Sequence, residues 1–219
     1  MKQTKFQRAV IFFNSEFSPE DMVQVGDKDL IICADGGLAH AKSVGLVPHV
    51  VLGDFDSLSA DGKRYLQNNT SIKVITHPPQ KDKTDGHLAV EYALALSVQD
   101  IWILGGFGGR IDHTLANIFL GKLCIEHGAD LHLVGNKQYV CMLQGPGEAI
   151  IEGNPGDYVS LIPLSSTAEG ITTKGLAYSL KEGNLYFGDT LGVSNELTAS
   201  TGEVSILTGG LLVVLINKS

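Results

Sequence analysis

Apolar positions follow two different patterns along the chain. Up to about residue 135, short aliphatic and β-branched runs recur between longer segments, at 10–13, 30–33, 50–52, 72–75, 101–104 and 131–134. Two of the longer segments carry apolar residues at helical spacing, one after Thr84 and Asp85 and the other after Asp112. Apolar strands that alternate with helices predict a mostly parallel sheet that is covered by helices on both faces. Ligands of such a sheet bind beyond the carboxyl ends of its strands.

The second pattern begins at about residue 138. Short strand-like stretches occur there between Gly, Pro and Asn residues, at 149–152, 158–162, 178–180, 184–187, 204–207 and 211–216. Helical spacing is missing from this part of the sequence, which predicts a small all-β sandwich or partial barrel. We therefore expect an α/β domain over residues 1–137 and a β-rich domain over residues 138–219.

Charge and composition narrow the range of partners. The 219 residues include 16 Lys and Arg against 24 Asp and Glu, a formal net charge of −8. This sign disfavours nucleic acid and anionic membrane surfaces as partners. No segment reaches the roughly 20 apolar residues of a membrane helix. Because the three cysteines show no C-x-x-C spacing, we expect a cytoplasmic protein without disulfide bonds or a thiolate zinc site.

Two carboxylates follow the predicted strand that ends at Leu52. In an extended chain, Asp54 and Asp56 point to the same side while Phe55 packs on the other. Two carboxylates at a strand end suit Mg²⁺, which completes its shell with water and substrate phosphates. An Asp-rich turn, in which these side chains accept hydrogen bonds from backbone amides, is the alternative interpretation.

A second polar segment, residues 81–85, leads directly into a predicted helix. Asp82 and Asp85 lie close to one face of that helix if it has begun, and Lys81 and Lys83 are placed to meet a polyphosphate. An ordinary helix N-cap at Thr84 or Asp82 explains the same residues without a ligand.

Glycines mark two further strand ends. In residues 105–113, four glycines precede Arg110, whose planar guanidinium fits phosphate oxygens, and a helix then begins near Asp112. Asp112 is equally explained as an N-cap. The segment lacks the third glycine of the dinucleotide-binding fingerprint, and no P-loop motif occurs in the chain. Asp35, Gly36 and Gly37 form a shorter element of the same kind, which by itself only indicates a turn.

The predicted fold gathers these segments at one edge of the sheet, where carboxylates, basic side chains and glycine loops together indicate a metal and polyphosphate site. In their order and spacing, residues 35–37, 53–57, 81–85 and 109–113 resemble the signature segments of the thiamine pyrophosphokinase family. Residues 173–176 and 192–196 resemble that family's vitamin-binding segment. The resemblance covers nearly the whole chain.

The resemblance implies a Mg²⁺-dependent enzyme that transfers a pyrophosphoryl group from ATP to the hydroxyl of thiamine, giving thiamine diphosphate and AMP. It implies Asp54, Asp56 and Asp85 as the metal ligands, with Asp82 or Asp112 as the base if one acts. The residues implied in binding nucleotide and phosphates are Asp35, Gly36, Gly37, Lys81, Lys83, Thr84, Gly105, Gly106, Gly109 and Arg110. Residues 1–137 would form the catalytic domain and residues 138–219 the thiamine-binding domain.

The implied thiamine site departs from the family in one respect. Ser194 and Asn195 are the residues expected to hydrogen-bond the aminopyrimidine of thiamine. Some relatives stack this ring on a tryptophan of the β domain, whereas the single tryptophan here is Trp102, on a predicted core strand. Tyr178, Tyr186 and Phe187 are the aromatic replacements that the β-rich part offers. The family also implies a homodimer whose sites lie at the subunit interface.

Two other functions fit the same acids. A phosphohydrolase would use them on a nucleotide without an acceptor, and a non-catalytic sensor would bind nucleotide or vitamin without turnover. Product formation separates all three hypotheses.

Overall fold

The computed structural model describes residues 6–56 and 58–217, and the chain divides into two compact units, Met1–Asn136 and Lys137–Ser219. Within the described ranges, no helix has the length and apolar character needed to cross a membrane.

Six strands form the sheet of the first unit: β1 (Arg8–Phe12), β2 (Asp29–Ala34), β3 (Val50–Gly53), β4 (Lys73–Thr76), β5 (Asp100–Leu104) and β6 (Asp130–Gly135). They lie in the order β4-β3-β2-β1-β5-β6, and every pair is parallel. Val10 of β1 pairs with Ile31 on one side and with Trp102 on the other. The strand order therefore reverses direction at β1 and β5, which is the position where open α/β sheets bind ligands.

Four helices accompany this sheet: α1 (Gly37–Ser43), α2 (Ala60–Asn68), α3 (Asp85–Ala95) and α4 (Ile111–Glu126). The two best-defined starts have side-chain caps, because the hydroxyls of Ser59 and Thr84 each accept a backbone N–H three residues later at 3.1 Å. A short 3-10 helix covers Pro19–Asp21. The cap at Thr84 fixes where α3 begins.

Helices cover both faces of the sheet. All six residues of β2 are buried, and successive residues of a strand point to opposite faces. Leu38 and Ala41 of α1 share one core cluster with Phe12 and Cys33, whereas α3 contacts β1, β2 and β3 without joining that cluster. Burying each large aliphatic side chain contributes roughly 1.5–3 kcal/mol, so the sheet centre is the main source of stability in this unit.

The second unit contains eight strands: β7 (Gln138–Gln144), β8 (Gly147–Glu152), β9 (Tyr158–Pro163), β10 (Thr167–Lys174), β11 (Gly183–Tyr186), β12 (Asn195–Glu196), β13 (Thr201–Ile206) and β14 (Gly210–Ile216). They pair in the orders β12-β9-β14-β7 and β11-β10-β13-β8. Ile171 of the second group and Val213 of the first share one buried cluster. The two groups thus pack as layers of a β-sandwich.

One predicted strand of this unit was wrong, and three strands, β7, β10 and β12, were not predicted. Residues 178–180 form a loop, in which the amide of Leu180 donates to Oγ1 of Thr173 at 2.8 Å. The sequence pattern did not predict β10, because only Ala168, Ile171 and Thr173 are buried and the shift in strand pairing between Ala168 and Ile171 interrupts their alternation. Polar residues on the exposed face of β10 interrupt the apolar pattern by which strands were predicted.

Candidate functional site

A crevice of about 800 Å³ opens at the carboxyl edge of the first unit's sheet. Its walls follow five different strands: 13–16 follow β1, Asp35 follows β2, Asp54 follows β3, Pro79 and 81–86 follow β4, and 108–110 follow β5. His113 and Asn117 of α4 complete the lining. The sheet topology therefore brings together segments that lie up to about a hundred residues apart in sequence.

Asp54 and Asp85 converge on one cation. The ammonium of Lys81 lies 2.8 Å from Oδ1 of Asp85 and 3.7 Å from Oδ2 of Asp54. The three side chains are 14–21% exposed. Burial disfavours the charged ammonium, but the hydrogen bond and charge of Asp85 and the charge of Asp54 outweigh it and raise the pKa of Lys81. The two carboxylates are thus held around a single positive charge.

The loop after β3 is not extended. Phe55 has φ 61°, and Oδ1 of Asp54 accepts the amide of Asp56 at 3.1 Å. The expectation that Asp54 and Asp56 point to the same side of an extended chain was therefore wrong, because the turn at Phe55 redirects Asp56. Asp56 is exposed and does not line the crevice. In the described residues, 6–56 and 58–217, no three His, Cys, Asp or Glu side chains are grouped to hold a metal.

The segment after β4 supplies about half of the charged side chains of the crevice, more than any other segment. Thr84 is the N-cap of α3, as one of the two sequence interpretations had it, and Asp82 lines the crevice beside it. The ammonium of Lys83 also lines the crevice and pairs with Glu91 at 2.7 Å. A bound polyphosphate would compete with Glu91 for Lys83.

Arg110 and Asp112 form a bidentate pair at the start of α4. Nε of Arg110 donates to Oδ1 of Asp112 at 3.1 Å, and Nη2 donates to Oδ2. The hydrogen bond from Arg110 lowers the pKa of the Asp112 carboxyl. Asp112 does not line the crevice, whereas Arg110 does. A carboxylate with a lowered pKa is a weaker proton acceptor, so Asp112 is poorly suited to act as a base.

Several predicted glycines serve the packing of the protein instead of lining the crevice. Gly36, Gly37, Gly105 and Gly106 are not among its lining residues, whereas Gly109 is. A Cβ at Gly36 would lie 2.2 Å from Oδ1 of Asn14, and one at Gly105 would lie 2.7 Å from Phe13 O. Gly36 and Gly105 therefore allow the segment after β1 to pack closely against the loops that follow β2 and β5.

That segment, Phe13 to Glu16, was missed by the sequence analysis. It continues the direction of β1, with the amides of Phe13 and Ser15 donating to Leu104 O at 2.8 Å and Gly105 O at 3.0 Å. The only sequence signal for it is the change from an apolar run to Asn14, Ser15 and Glu16 at the strand end. Like the other crevice segments, this one contains polar residues that directly follow an apolar strand.

Asn117 was also missed. It is 7% exposed, and its Nδ2 donates to Gly106 O at 2.8 Å. A polar residue among the apolar positions of a predicted helix was the available signal. His113 precedes it by one helical turn, on the same wall of the crevice.

In the second unit, Asn195 is committed to the backbone. The amide of Tyr178 donates to Oδ1 of Asn195 at 2.9 Å, and Nδ2 of Asn195 donates to Tyr178 O at 2.7 Å. Ser194 has φ 62°, and its amide donates to Oγ of Ser160 at 3.1 Å. Tyr178 and Phe187 are each 74% exposed and Tyr186 is 52% exposed. The aromatic rings of this unit are thus available at the surface, whereas the amide of Asn195 is already used.

Comparison with known families matches both parts of the chain. Residues 24–133 match the family model described as thiamin pyrophosphokinase, catalytic domain. Residues 148–212 match the model described as thiamin pyrophosphokinase, vitamin B1 binding domain. The two models together span most of both structural units.

Individual relatives agree with this match. A thiamine pyrophosphokinase of Bacillus subtilis (strain 168) is 32% identical over 186 residues, which are 84% of this chain and 86% of that protein. The crystal structure of a thiamine pyrophosphokinase from Bacillus subtilis superposes with a TM-score of 0.86 at 29% identity, covering 97% of this chain and 100% of that one. For the Geobacillus thermodenitrificans thiamin pyrophosphokinase, the TM-score is 0.82 at 27% identity, with 97% and 98% covered.

Proposed function

The chain belongs to the thiamine pyrophosphokinase family, and from that premise we propose that it transfers a pyrophosphoryl group from ATP to thiamine. The hydroxyl oxygen of thiamine forms a bond to the β-phosphorus of ATP. The bond between that phosphorus and the oxygen bridging to the α-phosphate breaks, so AMP leaves with the bridging oxygen. The products are thiamine diphosphate and AMP.

The observation that carries this proposal is the convergence of Asp54 and Asp85 on one cation. Their carboxylates already surround the ammonium of Lys81, so their positions fit a second kind of cation, Mg²⁺, which commonly takes one or two carboxylates. Asp56 remains the proposed third ligand, and its carboxylate would have to turn toward the crevice at Phe55. The metal would supply neutralisation of the polyphosphate charge.

The remaining chemistry is mainly positioning, since phosphoryl-type transfer asks for alignment and charge neutralisation more than for covalent catalysis. Lys81, Lys83 and Arg110 line the crevice and would bind phosphate oxygens. Asp82 lines it as well and is better placed than Asp112 to accept the proton of the thiamine hydroxyl. Carboxylates of the crevice also attract the positive thiazolium of thiamine.

For the acceptor, we assign different roles to Asn195 and Tyr178. Asn195 holds the backbone of Tyr178 through both ends of its amide, and Tyr178 presents an exposed ring. Tyr178 would therefore stack on the pyrimidine, and Asn195 would position it. Ser194 remains the proposed hydrogen-bonding residue for the aminopyrimidine.

The proposed assembly is a homodimer in which the β-rich unit of one subunit contributes to the site of the other. Ile111, Leu115 and Phe119 support an intermolecular contact, because they recur every four residues on α4 and are 72%, 45% and 56% exposed. Light scattering of the purified protein tests this state. We expect Phe119→Lys to shift the mass toward the monomer, and a monomeric wild-type protein would contradict the proposal.

A cytoplasmic location is proposed from the cysteines. Cys33, Cys124 and Cys141 are all buried free thiols, and burial raises the pKa of Cys124 to about 12. Unreactive thiols of this kind suit a reducing compartment. Cell fractionation with a tagged full-length chain tests the location, and recovery in an exported fraction would contradict it.

Product identification tests the reaction itself. Purified protein is incubated with Mg²⁺, ATP and thiamine, and the products are separated by chromatography. AMP and thiamine diphosphate in equal amounts are expected, whereas ADP with thiamine monophosphate would indicate an ordinary kinase. A parallel incubation without thiamine identifies a phosphohydrolase by released phosphate. Binding of ATP and thiamine without any product would identify a sensor.

A further inference from the structure

The crevice has two chemically different walls. Asp54, Lys81, Asp82, Lys83 and Asp85, which follow β3 and β4, make one wall strongly charged. The other wall, formed after β1 and along α4, carries Asn14, Ser15, His113 and Asn117, with Glu16 and Arg110 as its charged members. Polyphosphate and metal suit the first wall, because they need cations and carboxylates. The amide and hydroxyl groups of the second wall suit an uncharged ligand group that forms hydrogen bonds.

Asn117 has a fixed orientation on this second wall. Its Nδ2 donates to the carbonyl of Gly106 at 2.8 Å, and a carbonyl can only accept. The amide is therefore oriented with its donor toward Gly106, which leaves Oδ1 as an acceptor. Among the residues that the structure describes, none donates a hydrogen bond to Oδ1 of Asn117.

The burial of Asn117 makes that acceptor selective. The residue is 7% exposed and lines the crevice, so its small accessible surface faces the ligand space. Ionised phosphate oxygens are acceptors and gain nothing from a second acceptor. Among the organic groups of a ligand, only one with an N–H or O–H can bind to Oδ1.

We propose that Asn117 determines nucleotide recognition, with Oδ1 accepting a hydrogen bond from the nucleoside part of the bound triphosphate. The inference rests on the proposed function, since it takes a nucleoside triphosphate as a ligand of the crevice. Two groups of ATP have the required chemistry, the exocyclic amino group of the base and the ribose hydroxyls. The position between β1 and β5 supports a nucleotide there, because it is the switch point of the sheet.

Direct binding measurements test this assignment without turnover. Calorimetry compares ATP with inosine triphosphate, which lacks the amino group, and with 2′-deoxy- and 3′-deoxy-ATP, all without thiamine. We expect wild-type protein to bind one of these analogues about threefold to tenfold more weakly than ATP, as expected for one hydrogen bond. Asn117→Ala should bind that analogue and ATP with equal affinity. Thr114→Ala, on the same helix and away from the crevice lining, should keep the wild-type discrimination.

Two results would overturn the proposal. One is equal binding of ATP and all three analogues by wild-type protein, which needs no variant and is independent of how Asn117→Ala folds. The other is a folded Asn117→Ala variant that still discriminates between ATP and the analogue as wild-type protein does. If wild-type protein makes AMP and thiamine diphosphate but does not discriminate, only this inference fails. If it binds no nucleotide, the proposed function fails with it.

Discussion

The carboxamide of Asn195 holds the backbone of Tyr178 from both sides. Its Oδ1 accepts the Tyr178 amide at 2.9 Å, and its Nδ2 donates to Tyr178 O at 2.7 Å. Oδ1 also accepts the amide of Glu196 at 2.9 Å. An amide used in this way has little capacity left for a ligand. In the proposed thiamine site, Asn195 would therefore act on a bound ring through Tyr178.

Loss of Asn195 should resemble loss of Tyr178. We expect Asn195→Ala and Tyr178→Ala each to raise the KM for thiamine by about threefold to tenfold, the size of one aromatic contact, with kcat little changed. Because both changes disturb the same contact, the double variant should lose no more than the larger single effect. Steady-state kinetics measures this, and Tyr178→Phe is the matched control that keeps the ring. Fully additive effects of the two substitutions on KM would contradict the proposal that Asn195 acts through Tyr178.

Removal of a carboxylate at the proposed metal site should affect turnover much more than folding. We expect Asp54→Asn and Asp56→Asn to lower kcat at least about a hundredfold, since a metal supplies several kcal/mol of charge stabilisation. Melting temperatures should stay close to that of the wild type. Asp27→Asn, an exposed acid outside the crevice, serves as control. Full activity of either variant would remove that residue from the ligand set.

In the proposed metal site, Lys81 and a divalent cation would compete for the carboxylates of Asp54 and Asp85. We expect Lys81→Met to bind Mn²⁺ about tenfold more tightly than wild-type protein in the absence of nucleotide, equivalent to about 1.4 kcal/mol. The KM for ATP should rise in the same variant, because a cation next to the phosphates is lost. Electron paramagnetic resonance titration with Mn²⁺ measures the first effect. Unchanged Mn²⁺ affinity would show that Lys81 does not occupy the metal position.

The strand-end location of the site could be predicted from sequence, because it depends on a general property of parallel sheets. Asp35, Asp54 and Asp85 each follow a separate apolar run, and the carboxyl ends of parallel strands meet at one edge. The start of α3 was also predictable, since the cap at Thr84 is a local interaction between neighbouring residues.

Other features depend on contacts that local pattern does not show. The orientation of Asp56 depends on the positive φ of Phe55, and the role of Asn195 depends on a partner 17 residues earlier. Asn117 reaches the loop after β5 from the second turn of α4. Each of these features depends on backbone conformation or on a residue that is distant in sequence. A polar residue in the sequence does not by itself identify its partner.

The glycine at position 37 should be required for packing. A Cβ there would lie 2.1 Å from Phe12 O, a backbone atom in the buried centre of the sheet. We expect Gly37→Ala to lower the free energy of unfolding by about 1–3 kcal/mol, as other overpacked cores do. Urea denaturation measures the change. Gly26→Ala is the control, because nothing lies within 4 Å of its Cβ position; equal stability of the two variants would contradict the packing role.

The Arg8 and Asp29 pair should make folding stability depend on acid pH. Burial raises the pKa of the Asp29 carboxyl, but hydrogen bonds from Arg8 and from the amide of Gly26, with the charge of Arg8, together lower it below its usual value. A carboxyl whose folded pKa lies below its unfolded value contributes stability above the unfolded pKa, near 4. That contribution is lost as the pH falls through the folded pKa.

Asp29→Asn tests this dependence. At pH 7 we expect it to lower the free energy of unfolding by about 2 kcal/mol, the size of a charge-assisted hydrogen bond, and the difference from wild type should shrink below about pH 4. Urea denaturation between pH 3 and pH 7 follows both. Asp61→Asn is the matched control, because the Lys42 and Asp61 pair is exposed and water screens it. A pH-independent difference for Asp29→Asn would show that its effect comes from packing and not from the charge.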